Sequence, residues 1–146
     1  MATELLRRDF TVDLPLDAAW QGLADVATWP TWARHLRRVS VTPPGRIGAT
    51  STGRLSFRPI GRSAFRVSAC DEPNHWEWVG KVAWLTIRYD HRFAANGDTT
   101  LMTWTVAEEG TRRSTLGRLF ASVYGRLVDR AIPRLQVYLA SPKQGE

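Results

Sequence analysis

The chain has 146 residues, a formal net charge of +6, seven tryptophans and one cysteine. A lone Cys70 excludes an internal disulfide bond and a cysteine-rich metal centre. The length predicts a single domain over residues 1–146, with a core large enough to hold a cavity and a flexible tail at 141–146.

Targeting and charge narrow the class of protein further. No apolar run reaches the length of a membrane span, and the first ten residues lack the apolar core of a signal peptide, so we expect a soluble cytoplasmic protein without stable membrane insertion. Arginine supplies most of the positive charge. However, the chain lacks a basic run, a recognition-helix pattern and an aromatic RNA-binding signature, so nucleic-acid binding is not expected.

The first third of the chain predicts a strand followed by two small helices. Residues 4–12 form the strand candidate. The Leu14-Pro15 pair breaks it, and a helix carrying Trp20 and Leu23 begins near Ala18. A second short helix is expected at 28–32, with Pro30 in its first turn.

From residue 38 the pattern becomes alternating and predicts a meander of strands. We expect strands at 39–42, 49–57, 64–70, 75–79, 84–93 and 99–108, separated by turns rich in proline, glycine and asparagine. The Asn96-Gly97 turn makes the last two strands an antiparallel hairpin.

Side-chain parity divides these strands into an apolar face and an arginine-rich face. Arg54, Arg58, Arg66, Arg88 and Arg92 share the second face, which we expect to be solvated or to bind a partner. The apolar set comprises Leu55, Phe57, Phe65, Val67, Trp76, Trp78, Leu85, Ile87, Tyr89, Phe93, Met102, Trp104 and Val106.

The segment from Thr115 to Ala140 is the one stretch long and periodic enough to be a major helix. At 1.5 Å per residue it would be roughly 39 Å long, enough to cross a whole sheet. Ser114 or Thr115 is the expected N-cap. Its predicted buried face consists of Leu116, Leu119, Phe120, Val123, Leu127, Ala131, Leu135 and Tyr138, which should cover the apolar face of the sheet.

Several local motifs resemble the START-like (SRPBCC) superfamily, particularly its polyketide cyclase/dehydrase-like branch. They are Leu14-Pro15-Leu16-Asp17-Ala18-Ala19-Trp20, then Leu23-Ala24-Asp25, Trp29-Pro30-Thr31-Trp32 and Ile47-Gly48-Ala49. The order of elements matches the family over nearly the whole chain. The resemblance implies an α+β helix-grip fold, in which a curved antiparallel sheet of about seven strands wraps around the long C-terminal helix.

The resemblance also implies a ligand cavity between that helix and the sheet. Members of the superfamily bind sterols, lipids, polyketides, plant hormones or other apolar molecules, and only some are enzymes. The family shares no catalytic motif that could be placed on this chain. The residues expected at the cavity are Trp32, Leu55, Phe57, Trp76, Trp78, Tyr89, His91, Trp104, Phe120, Val123, Tyr124 and Leu127.

Within that set, His91 and Tyr89 are the candidates for chemistry. A desolvated, neutral His91 can exchange a proton with a bound carbonyl or phenol, and it can equally be a hydrogen-bonded core residue. His35 is expected to be solvated, although it borders the predicted cavity mouth. Asp25 is expected to play a structural role at a helix end. The histidines have no metal-ligand spacing, and we expect no metal or cofactor.

Three functions remain open from the sequence. The first is binding of an apolar or aromatic small molecule by a monomer or homodimer. The second is a metal-free cyclase, aromatase or dehydratase that uses the same cavity. The third is a partner-binding module that uses the arginine-rich face.

Overall fold

The computed structural model describes residues 1–140, which form one seven-stranded antiparallel sheet, two α-helices and a 3-10 helix. The strands are β1 (Ala2–Val12), β2 (Leu36–Thr42), β3 (Thr52–Phe57), β4 (Arg62–Asp71), β5 (His75–Val82), β6 (Leu85–Asn96) and β7 (Thr99–Glu109). The helices are α1 (Leu16–Ala24), the 3-10 helix (Val26–Thr31) and α2 (Thr115–Ala140). This order confirms the predicted helix-grip fold.

The sheet is an open meander of β2 to β7, and β1 is added beside β7. Its spatial order is β1-β7-β6-β5-β4-β3-β2, so β2 and β1 are the two edges. All the pairings are antiparallel, and Asn96 pairs with Thr99 at the predicted hairpin. Residues 49–51 lie outside β3, contrary to prediction, because Ser51 shapes a turn. Its hydroxyl accepts from Gly48 N at 2.9 Å and its carbonyl accepts from Val67 N at 2.9 Å.

The core is built on tryptophans from both layers. Trp20 of α1 meets Trp76 of β5 edge to face, with ring centroids 5.3 Å apart. Trp76 in turn stacks on His91 of β6 at 4.4 Å. The 3-10 helix is anchored in this core because Trp29 Nε1 donates to the Leu23 carbonyl at 2.8 Å. The 3-10 helix and the residue that follows it therefore place two indole rings, those of Trp29 and Trp32, in the core.

The side of α2 that meets the sheet differs from the predicted one in the first half of the helix. Leu119 and Val123 are exposed, and the buried residues are Gly117, Gly125, Val128, Ala131, Leu135 and Leu139. The two glycines lie on the side that faces the sheet, where Gly125 lets β1 approach the helix and Gly117 leaves room for the Glu108 side chain. A Cβ on Gly125 would lie 3.3 Å from both Leu6 and Arg8.

The start of α2 is tied to the end of β7 by polar contacts. The Ser114 hydroxyl accepts from Gly117 N at 2.8 Å, which confirms Ser114 as the N-cap. The buried Glu108 carboxylate accepts from Ser114 N at 2.7 Å. The helix therefore leaves the sheet at a defined point and angle, and this positions its next turns over the site described below.

Candidate functional site

A small cavity lies between α2, the 3-10 helix and the inner face of the sheet. Its volume is about 50 Å³. A second cavity of about 20 Å³ lies beside it, and His91, Trp104, Tyr124 and Val128 line both. The remaining lining residues of the first are Trp29, Trp32, Ala33, His35, Leu36, Phe57 and Ala131.

The size of the first cavity limits what this conformation can hold. One water needs roughly 10–15 Å³, so the space fits about three to five waters. Pockets for drug-sized ligands have volumes of roughly 300–1,000 Å³. The chamber expected from the family resemblance is therefore nearly filled by its own aromatic side chains, and a larger ligand would have to displace some of them.

Unpaired polar groups surround this narrow chamber. Trp32 Nε1, Trp104 Nε1 and His91 Nδ1 are buried without a hydrogen-bond partner among residues 1–140, and all three residues line the first cavity. Trp76 Nε1, behind His91, is in the same state. Buried polar groups are normally paired, and leaving one unpaired costs about 1–3 kcal/mol. The chamber therefore favours an occupant that carries hydrogen-bonding oxygen atoms.

His91 lies at the centre of the aromatic cluster. Trp76 stacks on its ring, and Trp78, Trp104 and Trp29 lie around it at centroid distances of 5.3, 5.9 and 5.9 Å. Burial lowers the pKa of His91 to about 3. A hydrogen bond to the Trp76 backbone raises this pKa, and the nearby His75 lowers it, but both effects are smaller than that of burial. The imidazole is therefore neutral near pH 7, and it offers one donor and one acceptor nitrogen.

The two candidate tyrosines are placed differently around the chamber. Tyr124 lines both cavities, whereas Tyr89 lines only the second. Their rings meet at 5.8 Å, and Phe120 stacks on Tyr124 at 5.1 Å. Burial raises the pKa of Tyr124 to about 12 and that of Tyr89 well above its ordinary value. Both phenols are protonated at neutral pH, so they can donate a hydrogen bond but do not act as bases.

His35 is not solvated as expected. Its ring is half-buried, lines the first cavity and meets Tyr124 edge to face at 6.5 Å. Burial lowers its pKa. The neighbouring arginines in the sequence favour a solvated position, but the buried Ala33 and Leu36 turn this segment inward against the sheet.

Asp25 lines neither cavity. Its backbone carbonyl accepts a hydrogen bond from the Thr28 hydroxyl at 2.7 Å, at the start of the 3-10 helix.

The predicted cavity residues fall into two groups. Those that line a cavity are Trp32, Phe57, Tyr89, His91, Trp104 and Tyr124. Those that line neither are Leu55, Trp76, Trp78, Phe120, Val123 and Leu127. Trp76 and Trp78 are buried behind the first group. Val123 was expected at the chamber wall, but 52% of it is exposed because the glycine-bearing side of α2 faces the sheet instead.

Several lining residues were absent from the predicted set. Val128 and Ala131 line the first cavity, as do Trp29 and Leu36. Trp29 could have been predicted at the cavity, because it belongs to the Trp-Pro-x-Trp motif. Val128 could not, because it lies outside the apolar helical face that the sequence predicts.

The buried histidine predicts a pH dependence of stability. Unfolded His91 has a pKa of about 6.5, so below that pH the unfolded state binds a proton that the folded state does not. The free energy of unfolding should therefore fall by roughly 2 kcal/mol from pH 7 to pH 5 through this group alone. Urea unfolding at both pH values measures it. His91→Gln should lose less stability than the native chain over this interval; an equal loss in both would contradict the assignment.

The outer face of the sheet shows two kinds of arginine. On β6, Arg88 bonds the carboxylates of Glu77 and Glu109, and Arg92 Nε bonds Asp90 at 2.9 Å. His75, which points outward as predicted, also pairs with Asp90. Within residues 1–140, by contrast, Arg54, Arg58 and Arg66 have no acidic partner. The positive charge of this face is therefore neutralised on β6 by acidic partners and, within the described residues, is not neutralised at Arg54, Arg58 and Arg66.

Two further observations concern the described part of the chain. No three His, Cys, Asp or Glu side chains within residues 1–140 gather where they could hold a metal ion. Neither α-helix there has the length and hydropathy of a membrane span.

Solved structures share this fold at low sequence identity. A START superfamily protein from Mycobacterium smegmatis superposes with a TM-score of 0.75 at 13% identity, covering 94% of this chain and 97% of that one. For Ara h 8.0201 the TM-score is 0.72 at 10% identity, with coverages of 95% and 98%. For the Zhui aromatase/cyclase from Streptomyces sp. R1128 it is 0.68 at 15% identity, with coverages of 95% and 92%. At these identities the similarity shows the fold alone.

The family assignment comes from the sequence itself. No protein with a curated function matches it significantly. Residues 5–139, however, match the family described as polyketide cyclase / dehydrase and lipid transport, and this range includes every residue that lines the two cavities. The chain therefore belongs to the family described as polyketide cyclase / dehydrase and lipid transport.

Proposed function

We propose that this protein binds an apolar, oxygen-bearing small molecule, with a flat aromatic or polyketide-like skeleton, in the chamber between α2 and the sheet. One observation carries the proposal: Trp32 Nε1, Trp104 Nε1 and His91 Nδ1 are buried and unpaired within residues 1–140, around a single cavity. Indole nitrogens only donate hydrogen bonds, so the complementary groups on the ligand are carbonyl, ether or phenol oxygens.

Ligand entry requires the chamber to widen beyond its volume of about 50 Å³. Tyr124, Phe57 and His35 lie on its α2 and β2–β3 side, and each is only partly buried. We expect these three rings to rotate outward on binding, because they are partly exposed whereas Trp20, Trp76 and Trp78 are buried in the core. The bound ligand would then take their place against Trp32, His91 and Trp104.

A larger side chain that fills the chamber should weaken ligand binding. Val128 lines both cavities and is buried, whereas Val137 of the same helix is 73% exposed. We expect Val128→Trp to weaken binding of 2-naphthol, a flat phenol, at least about tenfold in a tryptophan-fluorescence titration, because the indole occupies the ligand's volume. Val137→Trp is the matched control and should bind as the native chain does.

The stability of the filled variant needs its own check. Overpacking costs about 1–3 kcal/mol, so thermal unfolding of both variants belongs beside the titration, and Ala131→Leu provides a milder filler of the same cavity. Native mass spectrometry of freshly purified protein would show whether a molecule co-purifies. Equal naphthol affinity in folded Val128→Trp, Ala131→Leu and native protein would refute binding in the chamber.

The alternative function is a metal-free cyclase or dehydratase that uses the same chamber. The observation that favours it is His91, a neutral imidazole with an unpaired Nδ1 next to the cavity. Such a group can move a proton during aldol condensation while the chamber folds the chain, and positioning would supply most of the rate. Mass spectrometry of a poly-ketone ligand after incubation distinguishes the binding protein from the enzyme, because only the enzyme converts the ligand into a product that has lost water.

A further inference from the structure

We propose that the end of the sheet formed by the β3–β4 and β5–β6 turns, where Leu36 and Phe57 line the first cavity, docks on an anionic bilayer surface. The proposal adds a partner to the function proposed above. It rests on two independent features of that end, uncompensated arginines and exposed apolar side chains at the hairpin tips.

The strand order places both turns at one end of the molecule. In the antiparallel meander, Ser56 pairs with Arg62 beside one turn, and Val82 pairs with Leu85 beside the other. The strands β3, β4, β5 and β6 are consecutive neighbours, so the two hairpins lie about two strand spacings, or roughly 10 Å, apart. The pair formed by Leu36 and Phe57, which both line the first cavity, lies at this same end.

Each of the two turns presents a large apolar side chain to solvent. Ile60 is 86% exposed between Arg58 and Arg62, and Trp84 is 76% exposed three residues after Lys81. Tryptophan and aliphatic residues beside arginine and lysine are the composition that enters the headgroup region of bilayers. Both side chains protrude from the hairpin tips and take no part in the hydrophobic core.

A groove of about 440 Å³ on the outer face continues from the Ile60 turn. Four arginines line it, together with two serines and no acidic residue: Arg37, Arg38, Arg54, Arg62, Ser40 and Ser56. Phe57 lines both this groove and the inner cavity. The groove is therefore next to the chamber and separated from it by one aromatic ring.

The charge of this half of the sheet is not balanced by the protein. Within residues 1–140, Arg37, Arg38, Arg58 and Arg62 form no ion pair, whereas Arg7, Arg8, Arg88 and Arg92 on β1 and β6 all do. Clustered guanidinium groups repel one another, and phosphate groups match their geometry. An anionic bilayer supplies phosphates to the groove and an apolar boundary to Ile60 and Trp84 at once. A soluble anion or an acidic protein would leave the two tips unexplained.

Vesicle binding of the full chain, without added ligand, tests the proposal. We expect cosedimentation with phosphatidylcholine vesicles that contain phosphatidylglycerol, weak binding to pure phosphatidylcholine, and loss of binding at high salt. Arg58→Gln with Arg62→Gln should lower the partition constant at least about tenfold. The matched control, Arg7→Gln with Arg92→Gln, removes the same net charge from the balanced half of the sheet and should change it by less than about twofold.

A second pair of variants tests the apolar tips. Ile60→Ser with Trp84→Ser should weaken vesicle binding, and Leu101→Ser with Val137→Ser, two exposed apolar residues away from this end, should not. Equal losses in the two arginine pairs would reduce the effect to net charge and overturn the proposal. So would binding of inorganic pyrophosphate or polyglutamate at Arg58 and Arg62 without vesicle binding.

The naphthol titration keeps this test separate from that of the chamber. Arg58, Arg62, Ile60 and Trp84 line neither inner cavity, so their variants should bind 2-naphthol as the native chain does. Naphthol binding without vesicle binding overturns the docking face alone. Vesicle binding without naphthol binding overturns the proposed chamber ligand alone.

Discussion

Trp76→Ala should cost about 3–5 kcal/mol of the free energy of unfolding, the range for removing a large aromatic side chain from a core. Trp76 is fully buried, stacks on His91 at 4.4 Å and meets Trp20 at 5.3 Å. Its loss would leave a void between α1 and the sheet that neither layer can close. Urea unfolding monitored by circular dichroism measures the change.

Trp84→Ala is the matched control, because it removes the same atoms from a side chain that is 76% exposed. Its effect on stability should stay within about 0.5 kcal/mol. If Trp76→Ala proves too unstable to purify, Trp76→Phe, which leaves a smaller void, should lie between the two. Equal stabilities of the Trp76 and Trp84 variants would contradict the core assigned to the inner tryptophans.

Gly53→Ala should cost about 3 kcal/mol, at the upper end of the usual range for overpacking. Gly53 of β3 pairs with Phe65 of β4, whose ring lies across it. A Cβ at this position would lie 2.3 Å from the Ser40 carbonyl oxygen and 2.4 Å from Phe65 Cζ. Because the first of these atoms is backbone, β2 would have to move away from β3.

Gly48→Ala provides the comparison, since the nearest atom to a Cβ there is Ser51 Oγ at 4.0 Å. We expect its free energy of unfolding to lie within about 0.5 kcal/mol of the native value. Thermal and urea unfolding of both variants measure this difference in stability. A Gly53→Ala protein as stable as Gly48→Ala would mean that β2 is held more loosely at the edge of the sheet than its register implies.

The glycines and the aromatic rings together account for the small chamber. Gly125 brings α2 close to β1 and Gly117 leaves room for the Glu108 carboxylate, and this packing leaves little space under Tyr124 and Val128. Trp32, Trp104 and His91 then fill much of the remaining space without pairing their nitrogens within the described residues. Close packing and unpaired polar atoms are an unusual combination in a core, and the proposed ligand binding rests on this combination.

Much of the architecture was contained in the local pattern of the sequence. Alternation along the strands, the Asn96-Gly97 turn and the long periodic segment at Thr115–Ala140 each reflect interactions between residues close in the chain. His91, Trp104 and Trp32 also followed from parity and from the Trp-Pro-x-Trp motif. Local period and turn chemistry are sufficient for these features because they depend on backbone geometry that repeats every two or every 3.6 residues.

The tertiary structure alone decided which side of α2 faces the sheet, where His35 lies and which arginines are paired. Apolar periodicity favours Leu119 and Val123, but α2 packs its glycine-bearing side against β1 and Glu108, so Val128 and Ala131 face the cavity instead. Pairing of Arg88 and not Arg58 depends on acids from neighbouring strands, Glu77 and Glu109, far away in sequence. These outcomes depend on distances between segments remote in the chain, and such distances leave no periodic signal in a single sequence.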